Sequence, residues 1–250
     1  MRVAAIYDIH GNLPALDAAL AEIARARPDL ILVGGDVASG PGLLPRPTIE
    51  RLMGLGAAAR FVRGNHDRLL LACLDGAPFD PALPESDRDD LRWVARQLGS
   101  AHHDFLAGFA ERTTLAVDGL GAVLFCHAAP RGDEELITAA TPEARVRAAL
   151  AGVARGVVVG GHTHMPFDRR VGAVRLVNPG SVGMPYGAPG AYWALLGPGV
   201  ELRRTPYDLE EAAARIRAGG HPQADEFAEG NVLHPPTAAE AIAVFEGMTP

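Results

Sequence analysis

The sequence predicts an α/β fold, and three observations carry the prediction. Short, nearly continuous apolar runs such as Val3-Ala4-Ala5-Ile6 and Leu30 to Val33 read as buried strands of a largely parallel sheet. Between them the apolar residues Leu16, Ala19, Leu20 and Ile23 recur at helical spacing. The runs also end in Asp, His and Asn, and the binding sites of open α/β sheets lie at the carboxyl ends of their strands.

Taken in order, the first strand, Arg2 to Tyr7, closes on Asp8-Ile-His10-Gly11-Asn12. An Asp and a His two apart can converge on one metal ion. The same stretch is also good turn chemistry, with Asn12 placed as N-cap and Pro14 in the first turn of a helix over Leu13 to Ala26. Pro28 stops that helix, and the second strand, Leu30 to Val33, ends in Gly34-Gly35-Asp36. Ser39 to Pro47 is proline-broken and loop-like, Thr48 to Leu55 reads as a helix, and a short third strand over Arg60 to Val62 ends in Arg63-Gly64-Asn65-His66-Asp67.

The alternation stops between Arg68 and Thr113. Helical patterning over Leu69 to Leu74 and Asp87 to Leu98 suggests a helical insertion over the rim of the sheet, where insertions confer selectivity. His102 and His103 within it read as surface or core histidines. Strands resume with Thr114 to Val117 and Ala122 to Cys126, the latter ending in His127. A helix over Pro142 to Ala151 precedes Gly156 to Val159, which ends in Gly160-Gly161-His162-Thr163-His164. Val174 to Val177 leads into Asn178-Pro179-Gly180-Ser181, a hairpin spans Ala191 to Arg204, and a helix spans Leu209 to Ala218. Residues 1–204 thus form the main domain. Residues 205–250 read as a helical tail packed on it, with a short helix near Ala238 to Phe245.

Composition narrows the function classes. A hydrophobic fraction of 48% supplies a large core, while a net charge of −7 argues against general binding to a nucleic-acid backbone. All 23 basic residues are Arg, so no mechanism can use a Lys nucleophile or Schiff base. No run reaches the roughly 20 apolar residues of a membrane span, and the N-terminus enters a strand directly, so a cytoplasmic location is expected. Cys73 and Cys126 are far apart and read as small apolar fillers.

Asp8, His10, Asp36, Asn65, His127, His162 and His164 each have an ordinary reading as a turn or core residue. Together, at the ends of five hydrophobic runs, they face one crevice, where leaving them unpaired would cost several kcal/mol. A metal site is the reading that satisfies all of them.

The same residues resemble the signature blocks of the calcineurin-like metallophosphoesterases. Asp8-x-His10, Gly35-Asp36, Gly64-Asn65-His66-Asp67, His127 and Gly161-His162-x-His164 match in order and position over about Arg2 to Ser181, with Asp8-x-His10-Gly11-Asn12 and Asn178 to Ser181 looking most like the small bacterial phosphoesterase branch. The resemblance implies a four-layer α-β-β-α sandwich of two mixed sheets flanked by helices. It also implies two divalent transition-metal ions (Mn, Fe, Ni, Co or Zn, with Mn favoured). Asp8, His10 and His164 would hold one, Asn65, His127 and His162 the other, with Asp36 bridging. A metal-bridging hydroxide would attack a small phosphomonoester or phosphodiester in line, since metal binding lowers the pKa of water from 15.7 to about 7.

His66 is then the general acid at the leaving-group oxygen, with Asp67 orienting its ring. Some relatives carry Cys at the His66 position, so His here favours hydrolytic competence. Arg63 matches a phosphate-contacting Arg of the protein-phosphatase branch, or else pairs with an acidic side chain. Asn12 either assists at the phosphate or caps the helix. In one departure, Gly40 follows Asp36 by four residues where many relatives have five, which shortens a loop beside the site. A protein phosphatase and a metal-free protein-binding scaffold of the same fold are the competing functions; the first lacks a recognisable peptide-docking segment, and the second is expected to have lost ligands that are all present. The tail either helps select the substrate or forms a homodimer contact.

Overall fold

The structure is a computed structural model and describes residues 1–41 and 43–248. Gly42, inside the expected 39–47 loop, and Thr249 and Pro250 of the tail lie outside the described residues.

Two five-stranded mixed sheets face each other. In the first, β1 (Val3–Ile6) pairs in parallel with β2 (Leu30–Val33), which pairs in parallel with β3 (Ala59–Phe61). The second sheet is built on β4 (Arg112–Val117), β5 (Gly121–Cys126), β6 (Gly156–Val159), β7 (Phe167–Val171) and β8 (Val174–Asn178), in the order β4-β5-β6-β8-β7. The antiparallel hairpin of β9 (Ala191–Leu196) and β10 (Val200–Thr205) completes the first sheet, giving β10-β9-β1-β2-β3.

The side-chain alternation of β1 separates the cores. Val3, Ala5 and Tyr7 point between the sheets with Leu32, Phe125, Val159 and Val177, whereas Ala4 and Ile6 point outward at helices. On that outer face lie α1 (Leu13–Ala26), α2 (Pro45–Met53), α3 (Asn65–Leu74), α4 (Glu85–Ala95) and α5 (Ser100–Ala107), contributing Leu16, Leu20, Ile49, Leu70, Leu91, Val94 and Leu106 to one core. Across the second sheet, α6 (Glu143–Ala149) packs Val146 and Ala149 against Val158 and Leu176. The layering is α-β-β-α, as the resemblance implied. After the hairpin, α7 (Leu209–Ala218) and α8 (Ala224–Phe227) enclose Leu43 with Ile216, Phe227 and Val232, and α9 (Ala238–Gly247) follows.

Several elements differ from expectation. α2 starts at Pro45 rather than Thr48, because prolines at the first helical positions have no amide hydrogen to lose and a φ already suited to the helix. α3 starts at Asn65, so the third strand end flows directly into a helix. Helix α5, strand β7, α8 and the wide helical turn at 228–233 were not expected. No helix among the described residues is long and apolar enough to cross a membrane.

Candidate metal centre

The strand ends bring the predicted ligands together through the backbone. Ile6 lies opposite Val33 in the parallel ladder, and the pairing continues past the strands: Asp8 N donates to Gly35 O, and Ile9 N and His10 N both donate to Asp36 O at 2.9 Å. Asp8, His10, Asp36, His162 and His164 all have positive φ, between 50° and 67°. That left-handed state is uncommon for residues with a Cβ and recurs at functional sites held by the surrounding fold. Gly64 permits the close approach of the next loop, since a Cβ there would stand 2.1 Å from Asp36 Oδ1.

Two triads result. Asp8, His10 and His164 form one, and Asp36, His127 and His162 the other, with the ligand-type atoms of each within 4.8 Å of one another. Each triad takes residues from both sheets. Asn65 joins the second, its Oδ1 lying 3.0 Å from His127 Nε2.

The imidazoles are aimed by backbone carbonyls. Nδ1 of His10 lies 2.7 Å from Ser39 O, that of His127 2.8 Å from Gly34 O, and that of His164 2.8 Å from Met184 O. A ring that donates from Nδ1 presents the Nε2 lone pair, the state in which a histidine binds a metal. His10 Nε2 and His164 Nε2 then face each other at 3.1 Å. Two lone pairs so placed repel unless a cation takes both, and ligand atoms about 2.1 Å from one ion at right angles stand about 3.0 Å apart.

The carboxylates tell the same story. Asp8 Oδ2 accepts from His162 N at 3.0 Å, but the buried Oδ1 has no hydrogen-bond partner and lies 3.8 Å from His164 Nε2 and 3.9 Å from His127 Nε2. Burial, reinforced by the Asp36 carboxylate against the opposing pull of His127, pushes Asp8 up to about 8. Asp36 is also buried, but His127, His66 and His10 around it hold it well below the usual carboxylate range. Burial drives His10 down to about 4 and His162 to about 3, so both are neutral and able to ligate at neutral pH. At His127 burial acts in the same sense, yet Asp36 and Asp8 outweigh it and raise the ring to about 10. An orphaned carboxylate oxygen, facing imidazole nitrogens and an imidazole between two carboxylates fit divalent cations.

One expected role is corrected, and one open choice is decided. Asp67 does not orient the His66 ring: its oxygens accept from the amides of Asp36, Val37 and Gly64 at 2.9 to 3.0 Å, because the turn after β2 and the start of α3 leave those buried donors otherwise unmet. Asn12 is likewise spent. Its Oδ1 caps α1 by accepting from Ala15 N, and its Nδ2 donates to Gly183 O at 2.9 Å, so its amide is turned to the backbone rather than to a phosphate. Arg63 pairs with the exposed Glu111 at 3.1 Å. His66 N donates to Asp36 Oδ1, and its ring stands edge-on to His10 with centroids 5.9 Å apart. His103 pairs with Asp75, and His102 Nδ1 accepts from Gly99 N, both away from the triads.

Sequence reasoning noted Asn178 to Ser181 without a structural role. Ser181 Oγ donates to Asp8 O at 2.6 Å and accepts from Met184 N, while Asn178 Nδ2 donates to Gly161 O and Thr163 Oγ1. The segment thus fastens the Asp8 turn to the 161–164 loop. Tyr186 stacks on the His164 ring. The carbonyls of Gly34, Ser39 and Met184 leave no signature in residue type.

Known proteins agree with this arrangement. The family described as calcineurin-like phosphoesterase superfamily domain matches residues 1–197. A metallophosphoesterase from Sphaerobacter thermophilus superposes with a TM-score of 0.69 at 27% identity, covering 90% of this chain and 96% of that one. A hypothetical protein from Pyrococcus horikoshii OT3 shares the fold with a TM-score of 0.77 at 21% identity, covering 91% of this chain and 97% of that one. The symmetrical bis(5'-nucleosyl)-tetraphosphatase of Serratia proteamaculans is 39% identical over 102 residues, which is 37% of this chain and 35% of that protein. The match to such relatives spans about a third of their length. With the family match running from the first strand through β9 and the ligand-type residues of its blocks gathered at one end of the two sheets, the chain belongs to the calcineurin-like phosphoesterase superfamily.

Proposed function

We propose that the protein is a binuclear metal-dependent phosphoesterase that hydrolyses a small phosphomonoester or phosphodiester. The observation that carries this reading is the pair of buried triads, with an orphaned Asp8 oxygen directed at the nitrogens of both. Asp8, His10 and His164 would hold one cation and Asn65, His127 and His162 the other, with Asp36 shared between them. Oxygen donors from Asp8, Asp36 and Asn65 beside imidazoles, without a thiolate, suit Mn, Fe, Ni, Co or Zn, and the family resemblance is what favours manganese among them. When bound, such cations supply positive charge for the phosphoryl oxygens and acidify water.

His66 sits at the edge of this cluster, on the first turn of α3, and protonates the departing ester oxygen. Asp67 keeps that turn and the Asp36 turn in register by accepting from both backbones. Arg63, held among the described residues only by an exposed carboxylate, is available to the phosphoryl group. The dinucleoside tetraphosphates for which the Serratia relative is named belong in the substrate panel.

Elemental analysis of the purified protein, beside hydrolysis of p-nitrophenyl phosphate and bis(p-nitrophenyl) phosphate by wild type and His66→Ala, tests this reading. Two metals per chain are expected, with turnover falling at least about tenfold in the variant. No metal uptake from Mn, Ni or Zn and no turnover of either ester would overturn it in favour of a protein-binding role.

A further inference from the structure

Beside the metal centre, His127 forms part of the wall of a cavity of about 360 Å³. The backbone explains why it is there. Val62 bridges Ala110, and Arg63 N donates to Ala110 O at 2.8 Å, so the end of β3 is stitched to the start of β4. Arg112 opens β4 directly opposite Cys126, the residue before His127. Paired backbone bonds between Ala129 and Gly132 then fold the following loop into a tight turn that closes the far side.

This chain carries a net charge of −7, yet four guanidiniums, those of Arg63, Arg68, Arg112 and Arg131, line the cavity against only two carboxylates, Glu111 and Asp133. The four are not equivalent. Arg68 is committed to Asp133 and Glu134, and Arg131 to Glu135, so these two brace the walls. Among the described residues Arg63 has a single ion pair, to a Glu111 side chain that is 82% exposed. Arg112 is exposed, has no carboxylate partner among the described residues and donates only to the Pro130 carbonyl at 3.4 Å. An exposed ion pair contributes about 0–1 kcal/mol, so an anion offering two oxygens to a guanidinium displaces it readily.

We propose that this cavity is a second anion subsite, in which Arg112 binds a phosphoryl group one or more anhydride links away from the one that reacts, with Arg63 shared between the two groups. The preferred substrate is then an ester of a diphosphate or longer oligophosphate. The proposal rests on the phosphoesterase reading for its catalytic consequence but not for its binding consequence. Arg112 is the new element: it lies outside the ligand set, enters on a different strand and contributes charge where the metal cluster ends.

The test uses the full chain in chelator, so that metal capture by the probe plays no part, titrated calorimetrically with inorganic tripolyphosphate and separately with orthophosphate. Tripolyphosphate is expected to bind wild type, at least tenfold more weakly in Arg112→Ala, with partial recovery in Arg112→Lys. Glu111→Gln, which removes the carboxylate competing for Arg63, is expected to bind it more tightly than wild type. In metal-loaded enzyme, Arg112→Ala is expected to raise KM for a p-nitrophenyl ester of a nucleoside diphosphate at least tenfold while leaving p-nitrophenyl phosphate turnover unchanged. Equal tripolyphosphate binding by wild type and Arg112→Ala, or orthophosphate binding with the same affinity and the same dependence on Arg112, would overturn the proposal. Absence of all ester hydrolysis would instead remove the phosphoesterase reading, and the calorimetry would still decide the subsite.

Discussion

Gly40 lies against the ring of His66. A Cβ on Gly40 would stand 2.5 to 2.6 Å from Cε1, Nδ1 and Nε2 of that imidazole, and Gly40 has a φ of +77°. The shortened loop after Asp36 therefore ends in a glycine whose backbone forms one wall for the proposed acid.

Gly40→Ala is accordingly expected to displace His66, and the left-handed backbone adds a strain of about 1–2 kcal/mol. Turnover should fall at least about tenfold for esters with poor leaving groups and much less for p-nitrophenyl esters, because only the former need a proton in the transition state. A uniform loss across a series of leaving groups would contradict this.

The Gly40 backbone is itself held from behind. Gly40 N donates to Asp90 Oδ2 at 2.9 Å, and Asp90 Oδ1 lies 2.9 Å from Nε2 of the buried His221, which accepts from Gln223 N through Nδ1. Helix α4 and the C-terminal segment thus meet at one buried carboxylate. Asp90→Ala strands the buried His221 donor and the half-buried Gly40 amide and should lower stability by roughly 2–3 kcal/mol, read as a lower urea midpoint with an unchanged slope. An unaltered midpoint would show that water replaces the carboxylate.

Ser181 joins Asp8 O to Met184 N, and Met184 O in turn orients His164. Loss of that hydroxyl in Ser181→Ala is expected to weaken metal binding at the Asp8-His10-His164 triad about 10-fold to 100-fold, since groups behind a ligand tune affinity to that extent. Competition with a fluorescent chelator measures it, and the Asp36-His127-His162 triad provides the internal reference.

Chelation should cost more thermal stability at about pH 8.5 than at about pH 6.5. Without cations, Asp8 titrates at about 8 and His127 at about 10 in the fold, against 3.8 and 6.5 when unperturbed. Folding therefore takes up protons at both groups. The stability they confer is complete below the unperturbed values and is lost as pH rises through the folded ones. His10 and His162, lowered to about 4 and about 3, stay neutral in the fold across this interval with or without cations, so the protons they take up when unfolded add the same slope to both forms and cancel in the gap. Cations replace the two protons, so the loaded protein lacks the decline. Scanning fluorimetry with and without chelator across the interval reads the widening gap; a constant gap would mean that cations do not take those protons' places.

The two triads were legible because their members follow the ends of hydrophobic runs; the strands that deliver Asp36 and His162 have the expected extents, and the one before Asp8, expected over Arg2 to Tyr7, spans Val3–Ile6. Legibility failed where the partner of a side chain is a backbone group. Asp67 stands beside His66 in sequence, which suggests ring orientation, but three unmet amides claim the carboxylate. Asn12 offered two readings, and the geometry of the α1 N-terminus decides for the cap. Strand β7 escaped notice because an edge strand with Asp168, Arg169 and Arg170 has little apolar content to read. Helix α5 is short and buries only Leu106 fully, so its period was too brief to detect.

Both triads draw ligands from each sheet, and His10 and His164 meet across 154 residues of chain. Two ions seated there would act as rivets through the sandwich, closing a long loop that the polypeptide otherwise closes only by packing. Amides of β1 and β6, though remote from solvent and from one another in sequence, should then share a single exchange rate set by metal occupancy, so that losing the ions loosens the whole inter-sheet seam rather than the rim alone.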